Sequence, residues 1–314
     1  MNKHMRFIVV TAVVSLLLVV PDWAMHSYGQ STEGTDFWVT LLRGDEKKFD
    51  TLSCRFSAKE ATRVYIENTY TGLLDSLDVG DNDIRPYKLN DKTQSCYVTE
   101  DDEETPVNKA LHVYSNKNIS MIAANYKDKS FDVAAILPTD ALMSEYRIQS
   151  YPPYAHKDNS QGTHFAIIAA DDDVVVDITP TAPTLNRGGA IIGQTFQTDT
   201  LKKGQVYYVW TGYGTGDYYD FTGTVVKARD NKKIAVFNGN PHTNIPSKED
   251  RDHIFSQAMP INYWGKRFAI TSSLTTIDNQ KSKDDSGYKK LAGYWERIDK
   301  IRVQALIDGT VVYI

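Results

Sequence analysis

The sequence predicts an all-β protein made of tandem β-sandwich-like domains, and two observations support this prediction. First, short segments of alternating apolar and polar residues recur along the chain, separated by polar turns at a spacing of about 8–12 residues. No long window keeps a helical stripe, and the one helical turn expected lies in Asp140–Tyr146. Second, the chain matches itself at preserved spacings, which indicates a duplicated domain.

The internal repeat has a period of roughly 110–125 residues, the size of one small domain. Residues 113–126 return as 227–240, with Asn125 matched to Asn240. We expect such matched residues to be fold positions rather than ligand contacts. Because Thr62–Ile66 returns at the very end of the sequence, we expect a third unit that is truncated. The predicted units are residues 30–155, 156–275 and 276–314.

The first 29 residues are typical of a signal peptide. A basic start precedes the apolar run Phe7–Val20, and the small residues Ser27 and Gly29 occupy the positions that a signal peptidase inspects. The run is short for a membrane span. We therefore expect an exported chain that begins near Gln30, is secreted or held at the cell surface, and has no membrane span in its mature part. An uncleaved anchor is the alternative.

Hairpins are predicted in order along the chain, wherever two alternating segments flank a polar turn. Their strands are Leu52–Phe56 with Val64–Ile66, Leu111–Tyr114 with Ile119–Ala124, Phe165–Ala169 with Val174–Ile178, Gly223–Ala228 with Ile234–Asn238, and Ile301–Ala305 with Thr310–Ile314. The linker between the two complete units is predicted at Tyr151–Gln161, because its two prolines prevent strand pairing.

Charge and two short motifs narrow the possible partners. The net charge is −5 and the lysines are scattered, so we expect no nucleic-acid partner. The acidic run Glu100–Glu104 is predicted to be a solvated loop. Calcium binding is the alternative, although the run lacks the ligand spacing and the glycine of a calcium loop. The tripeptide Arg43-Gly44-Asp45 is one that animal integrins read, but a turn after a strand is the ordinary interpretation.

The two cysteines outside the signal peptide, Cys54 and Cys96, form a candidate disulfide, because an oxidising compartment favours pairing. Two buried free thiols are the alternative interpretation.

Catalytic motifs are absent from the sequence. It contains no nucleophile elbow, phosphate-binding loop or dinucleotide fingerprint. His242 and His253 lie in or beside a long polar insertion that we expect to be a surface loop, with a metal site as the alternative. We therefore expect no enzyme activity, no cofactor and no metal.

One segment has the composition of a binding loop. Thr211–Phe221 intersperses tyrosine with glycine and threonine, as adaptable paratope loops do. The alternative is a hairpin loop whose rings pack on the domain's own flank. The candidate ligand-binding residues are Tyr213, Asp217, Tyr218 and Tyr219.

Ordered motifs make the sequence resemble the amino-terminal domain family of IgG Fc-binding proteins, in the form found in exported bacterial proteins. The motifs are Gly34–Val39, Val113–Ile119, Leu137–Thr139, Ser150–Pro153, Asp220–Thr224, Lys233–Asn240, Asp252-His253, Pro260 and Trp264–Lys266. The resemblance implies an extracellular binding or adhesion module without catalytic activity, with a mucin, another glycoprotein or glycan, or immunoglobulin Fc as its partner. A spacer in a larger surface protein is the alternative, and a polysaccharide or peptide hydrolase is a third.

Overall fold

β-Strands make up most of the described chain, so the all-β prediction is confirmed. The structure is a computed structural model, and it describes residues 31–44, 51–89, 96–127, 130–153, 161–185, 191–212, 217–243, 252–270 and 301–313. Within these ranges the strands are interrupted only by loops and short 3₁₀ turns, with no α-helix. The strands are β1 (Glu33–Val39), β2 (Leu41–Leu42), β3 (Thr51–Ala58), β4 (Thr62–Asn68), β5 (Leu74–Val79), β6 (Asp83–Leu89), β7 (Tyr97–Val98), β8 (Pro106–Val107), β9 (Leu111–Lys127), β10 (Ser130–Ile136), β11 (Glu145–Arg147), β12 (His164–Ala169), β13 (Val176–Thr179), β14 (Phe196–Gln197), β15 (Val206–Trp210), β16 (Val225–Ala228), β17 (Ile234–Thr243) and β18 (Asp252–Gln257).

The described strands form three main sheets and one short parallel pair. The outer sheet has the order β5-β4-β9-β3-β6, and β1 and β10 also pair with the long β9. The central sheet has the order β18-β17-β12-β15-β8. The third sheet has the order β11-β16-β13-β14, and the parallel pair joins β2 to β7.

The central sheet is buried on both faces. Along β12, Ala166 and Ile168 point into a first core shared with the outer sheet, whereas Phe165 and Ile167 point into a second core shared with the third sheet. Every residue of β12 and β15 is buried, which explains why both strands read as continuous apolar runs. The three sheets therefore stack with the central sheet between two hydrophobic cores.

The two predicted domains share one core. Residues 32–314 form a single compact unit. The first core contains Phe37 and Val64 from the predicted first unit beside Ile168 and Phe237 from the predicted second. The boundary near residue 155 stays a prediction, but the strands on its two sides pack against each other.

The described start of the predicted linker is bound along β17. The Asn240 side chain donates a hydrogen bond to the Tyr151 carbonyl at 3.0 Å, and the Thr243 hydroxyl donates to the Pro152 carbonyl at 2.8 Å. The prolines lack backbone donors, and the carbonyls of this segment accept their hydrogen bonds from side chains of β17. Residues 151–153 are therefore attached to β17, and the linker between the two units stays a prediction.

The predicted hairpins are wrong in their pairing, although most of their strands exist. β3 and β4 pair with different parts of β9, not with each other, and the second predicted hairpin is a single continuous strand, β9. β12 and β13 lie in different sheets, as do β16 and β17. Residues 301–313 contain a turn at Gly309 but no assigned strand. A polar turn between two strands also fits an arch that crosses from one sheet to the next, and the turns after β12 and β16 form such arches.

Two features recur where the repeat predicts them. Pro138 follows the pair β9–β10 and Pro260 follows the pair β17–β18, and each precedes a 3₁₀ turn. Asn125 and Asn240 are both buried and donate to backbone carbonyls, those of Leu42 and Tyr151 respectively. Both asparagines thus have roles within the fold, while the repeat itself stays a prediction.

Candidate functional site

One end of the central sheet gathers the predicted binding segment. His164 at the start of β12 lies opposite Trp210 at the end of β15 and opposite Gly239 in β17, and Gly239 lies opposite Phe255 of β18. Because these neighbours are antiparallel, the start of β12 and β18 and the end of β15 and β17 meet at the same end. We call this the loop end, and it comprises residues 161–164, 210–212, 217–221, 239–243 and 252–253.

A tyrosine turn projects from the loop end. The 3₁₀ turn Asp217–Tyr219 presents Tyr218 with 58% of its surface exposed, and the ring meets that of Tyr219 edge to face at 5.1 Å. The Thr163 amide and hydroxyl donate to the Tyr219 carbonyl at 3.0 and 3.1 Å, and the Phe221 amide donates to the Thr163 hydroxyl at 2.8 Å. The backbone beneath the rings is therefore fixed, while the Tyr218 ring stays open to solvent.

The structure describes the predicted site residues unequally. Tyr218 and Tyr219 stand side by side, and Tyr219 is half-buried. Asp217 contributes backbone to the turn, and Tyr213 lies outside the described residues. The exposure of Tyr218 agrees with a contact loop more than with a ring packed on the domain's flank, and ligand contact stays a prediction.

Sequence reasoning missed an ionic tie beside the tyrosine turn. Arg302 pairs with the buried carboxylate of Asp220 at 3.1 Å, donates to the Ser150 carbonyl, and places its guanidinium 5.5 Å from the Tyr151 ring centre. Asp220 also accepts hydrogen bonds from the Thr222 amide and hydroxyl at 2.9 and 2.7 Å. Asp220 directly follows the tyrosines, but its cation is 82 residues away, so no local pattern could have indicated the pair.

Arg43 is buried, so the integrin-type interpretation of its tripeptide is wrong for this residue. Its side chain is 2% exposed, pairs with Glu100, donates to Gln161 at 2.6 Å, and lies 4.8 Å above the Trp210 ring. Asp45 lies outside the described residues. We call Arg43, Glu100, Gln161, His164, Tyr208 and Trp210 the buried polar cluster.

The acidic run is largely buried, so the prediction of a solvated loop is wrong. Asp102, Glu103 and Glu104 are each at most 6% exposed. Asp102 accepts the Lys109 ammonium at 2.7 Å, and Glu103 accepts the Leu185 amide at 3.2 Å. Paired and hydrogen-bonded carboxylates tolerate burial, and here some of the partners come from distant segments.

Three histidines lie buried at the loop end. His242 and His253 are at most 6% exposed, so the expected surface loop is wrong for these two. His164 is fully buried, and its Nδ1 lies 2.9 Å from the Tyr208 hydroxyl. Burial, followed by the charges of Arg43 and His253, holds the pKa of His164 well below its usual range. No group of metal-ligating side chains occurs in the described part of the chain.

Cys54 and Cys96 lie in the first core, both fully buried. Burial raises the pKa of the Cys96 thiol to about 12, and burial together with the nearby Cys96 raises the pKa of Cys54 further. Both cysteines are free thiols in the structure, and their disulfide pairing stays a prediction.

Two of the sequence motifs meet in the structure and hold the fold together. Gly34 leaves room for the Pro138 ring, since a Cβ at that position would overlap it. Asp36 accepts the Thr139 hydroxyl and lies 2.6 Å from His112 Nε2. These motif residues therefore have structural reasons for their identity and need no ligand.

Of the comparisons with known proteins, only the one with family models found a match. A family model described as IgGFc binding protein matches residues 132–314, more than half of the chain. The matched range includes the third sheet and every strand of the central sheet except β8, whereas the motifs Gly34–Val39 and Val113–Ile119 lie outside it. No curated protein and no solved structure matches the chain. No helix in the described ranges is long and apolar enough to cross a bilayer.

Proposed function

Because the chain belongs to the IgGFc-binding protein family, we propose that it is a binding or adhesion module that recognises an extracellular ligand and catalyses no reaction. The observation that carries the proposal is the exposed Tyr218 ring on a turn whose backbone Thr163 holds. An amphipathic ring on a fixed backbone contacts a partner at low cost in conformational entropy. The tyrosine turn is therefore the contact surface that we assign, with Tyr213 and Asp217 as its remaining candidate residues.

The ligand in this proposal is a host or cell-surface glycoprotein or glycan, and mucin and immunoglobulin Fc are the first candidates. The family's description supports a protein ligand. The mixed, mildly acidic charge supports neither nucleic acid nor a membrane surface as the partner. No cofactor takes part.

The proposed place of action is outside the cell. The basic start, the apolar run Phe7–Val20 and the small residues before Gln30 support export through a cleaved signal peptide.

Binding of the purified chain to an array of mucins, immunoglobulin Fc and host glycans tests the proposal. We expect specific binding that Tyr218→Ala weakens by at least tenfold, since an exposed aromatic anchor commonly contributes more than about 1.4 kcal/mol. The matched control is Tyr70→Ala, which removes a tyrosine of similar exposure, 63%, from the turn between β4 and β5 on the outer sheet. Both variants should unfold at the wild-type temperature.

Three outcomes would contradict the proposal. Binding that Tyr218→Ala leaves unchanged and Tyr70→Ala abolishes would move the site to the outer sheet. A folded chain that binds nothing on the array would favour the spacer alternative, and turnover of a polysaccharide or peptide substrate would favour a hydrolase.

A further inference from the structure

The segment after β2 is fastened to the loop end by a buried cation. The Arg43 guanidinium lies against Trp210 of β15, donates to Gln161 just before β12, and pairs with Glu100. These contacts join the first strands of the chain to the central sheet where no backbone ladder joins them. A buried cation of this kind depends on its surroundings, because any uncompensated charge nearby is costly.

His164 lies within this joint. It is directly opposite Trp210 in the β12–β15 register and is fully buried. Its Nδ1 faces the Tyr208 hydroxyl, while its Nε2 is buried with no hydrogen-bond partner among the described residues. The site therefore accommodates a neutral imidazole, and no described acceptor stands ready for a second N–H.

The charged groups around His164 oppose a second proton. The Arg43 guanidinium lies over the ring of Trp210, the register neighbour of His164. After burial, the charges of Arg43 and then His253 lower the pKa of His164. The Tyr208 hydroxyl contacts His164 from β15. Tyr208 in turn interacts electrostatically with Glu100, Glu103 and Tyr97. On the other side, His253 interacts electrostatically with Asp132 of β10. Protonation would place an imidazolium beside the Arg43 guanidinium in a buried site, where repulsion between like charges is strong.

We propose that His164 makes this joint an acid-sensitive latch, so that mild acid loosens the attachment of Arg43 to the loop end. The direction follows from proton linkage. Burial holds the pKa of His164 in the folded chain below its ordinary value of about 6.5, so the unfolded or opened chain binds the proton first as the pH falls. The stability that the neutral His164 imidazole contributes is fully present above about pH 6.5. Below that value the opening constant rises by up to tenfold per pH unit until the folded chain is also protonated.

Urea unfolding of the wild-type chain and His164→Gln between pH 8 and pH 4.5 tests the latch. The ratio of the two unfolding constants should change by up to about 100-fold from pH 8 to pH 4.5, with the wild type losing more stability. His112→Gln is the control, because His112 lies on the outer sheet, away from the buried polar cluster. The His112→Gln variant should lose stability in acid as the wild type does, because it keeps His164. If the unfolding free energies of the wild type and His164→Gln change equally with pH across this range, the proposal is overturned.

Two measurements on the wild-type chain keep the test independent of whether His164→Gln folds. The imidazole NMR signals of His164, assigned through contacts with Trp210, should show a neutral ring at pH 5.5. Titration near pH 6.5 would refute the latch. Hydrogen exchange, corrected for its intrinsic pH dependence, should show residues 41–44 and 161–164 losing protection in acid before β3 does. Simultaneous loss in all three segments would mean global unfolding rather than a latch.

Discussion

Replacing two adjacent isoleucines tests the central sheet's position between two cores. Ile167 faces the second core and Ile168 faces the first, and both are fully buried. Each Ile→Ala change removes three carbon groups, worth about 0.8 kcal/mol apiece in transfer free energy, and leaves a cavity. We therefore expect each variant to lose about 3–4 kcal/mol of unfolding free energy, measured by urea denaturation.

The two losses together distinguish a doubly buried sheet from one with a solvent face. In a sheet with one solvent face, adjacent residues alternate between core and water, so one of the two variants would stay within about 0.5 kcal/mol of wild type. That result would refute the three-layer arrangement. Ile84→Ala is the matched control, because Ile84 on β6 is 64% exposed, and it should cost less than about 1 kcal/mol.

Two further predictions concern titration and redox state. Burial raises the pKa of Asp36, but hydrogen bonds from His112 and Thr139 outweigh it and hold that pKa below 3.8. The stability that ionised Asp36 contributes is therefore complete above about pH 4 and is lost as the pH falls through the pKa of Asp36 in the folded chain. The unfolding temperature of Asp36→Asn should consequently fall less steeply in acid than that of the wild type. If Cys54 and Cys96 pair after export, the non-reduced chain should have a mass about 2 Da lower, and reduction should cost about 4 kcal/mol for a loop of 43 residues. Alkylation of both thiols in the unfolded, non-reduced chain would contradict that pairing.

The sequence indicated the strands well and their partners poorly. Alternation reports that a segment has a buried face, and in β3, β4 and β16 it located strands that exist. Alternation does not report which strand lies alongside. The polar turns after β12 and β16 were read as hairpins but join strands of different sheets, because a chain that leaves one layer for the next needs the same turn. β3 and β4 share a sheet, but β9 lies between them. The continuity of β9 through a polar stretch at residues 115–118 shows the same limit.

The residues of the candidate site were also predictable from the sequence only in part. Local composition located Tyr218 and Tyr219, since ring spacing and neighbouring glycines are visible in a short window. It could not indicate that Arg43 would be buried against Glu100, because the two lie 57 residues apart and each alone looks like a surface charge. Burial of charge depends on pairing between distant segments, and a single sequence carries no direct signal of that pairing.

Hydrogen exchange in the presence of a bound ligand tests the central claim most directly. With the array ligand that binds best, the tyrosine turn and the Thr163 segment that supports it should gain protection, while the β4–β5 turn at Tyr70 should not change. Protection at the β4–β5 turn with none at residues 217–221 would contradict the assignment of the tyrosine turn as the contact surface.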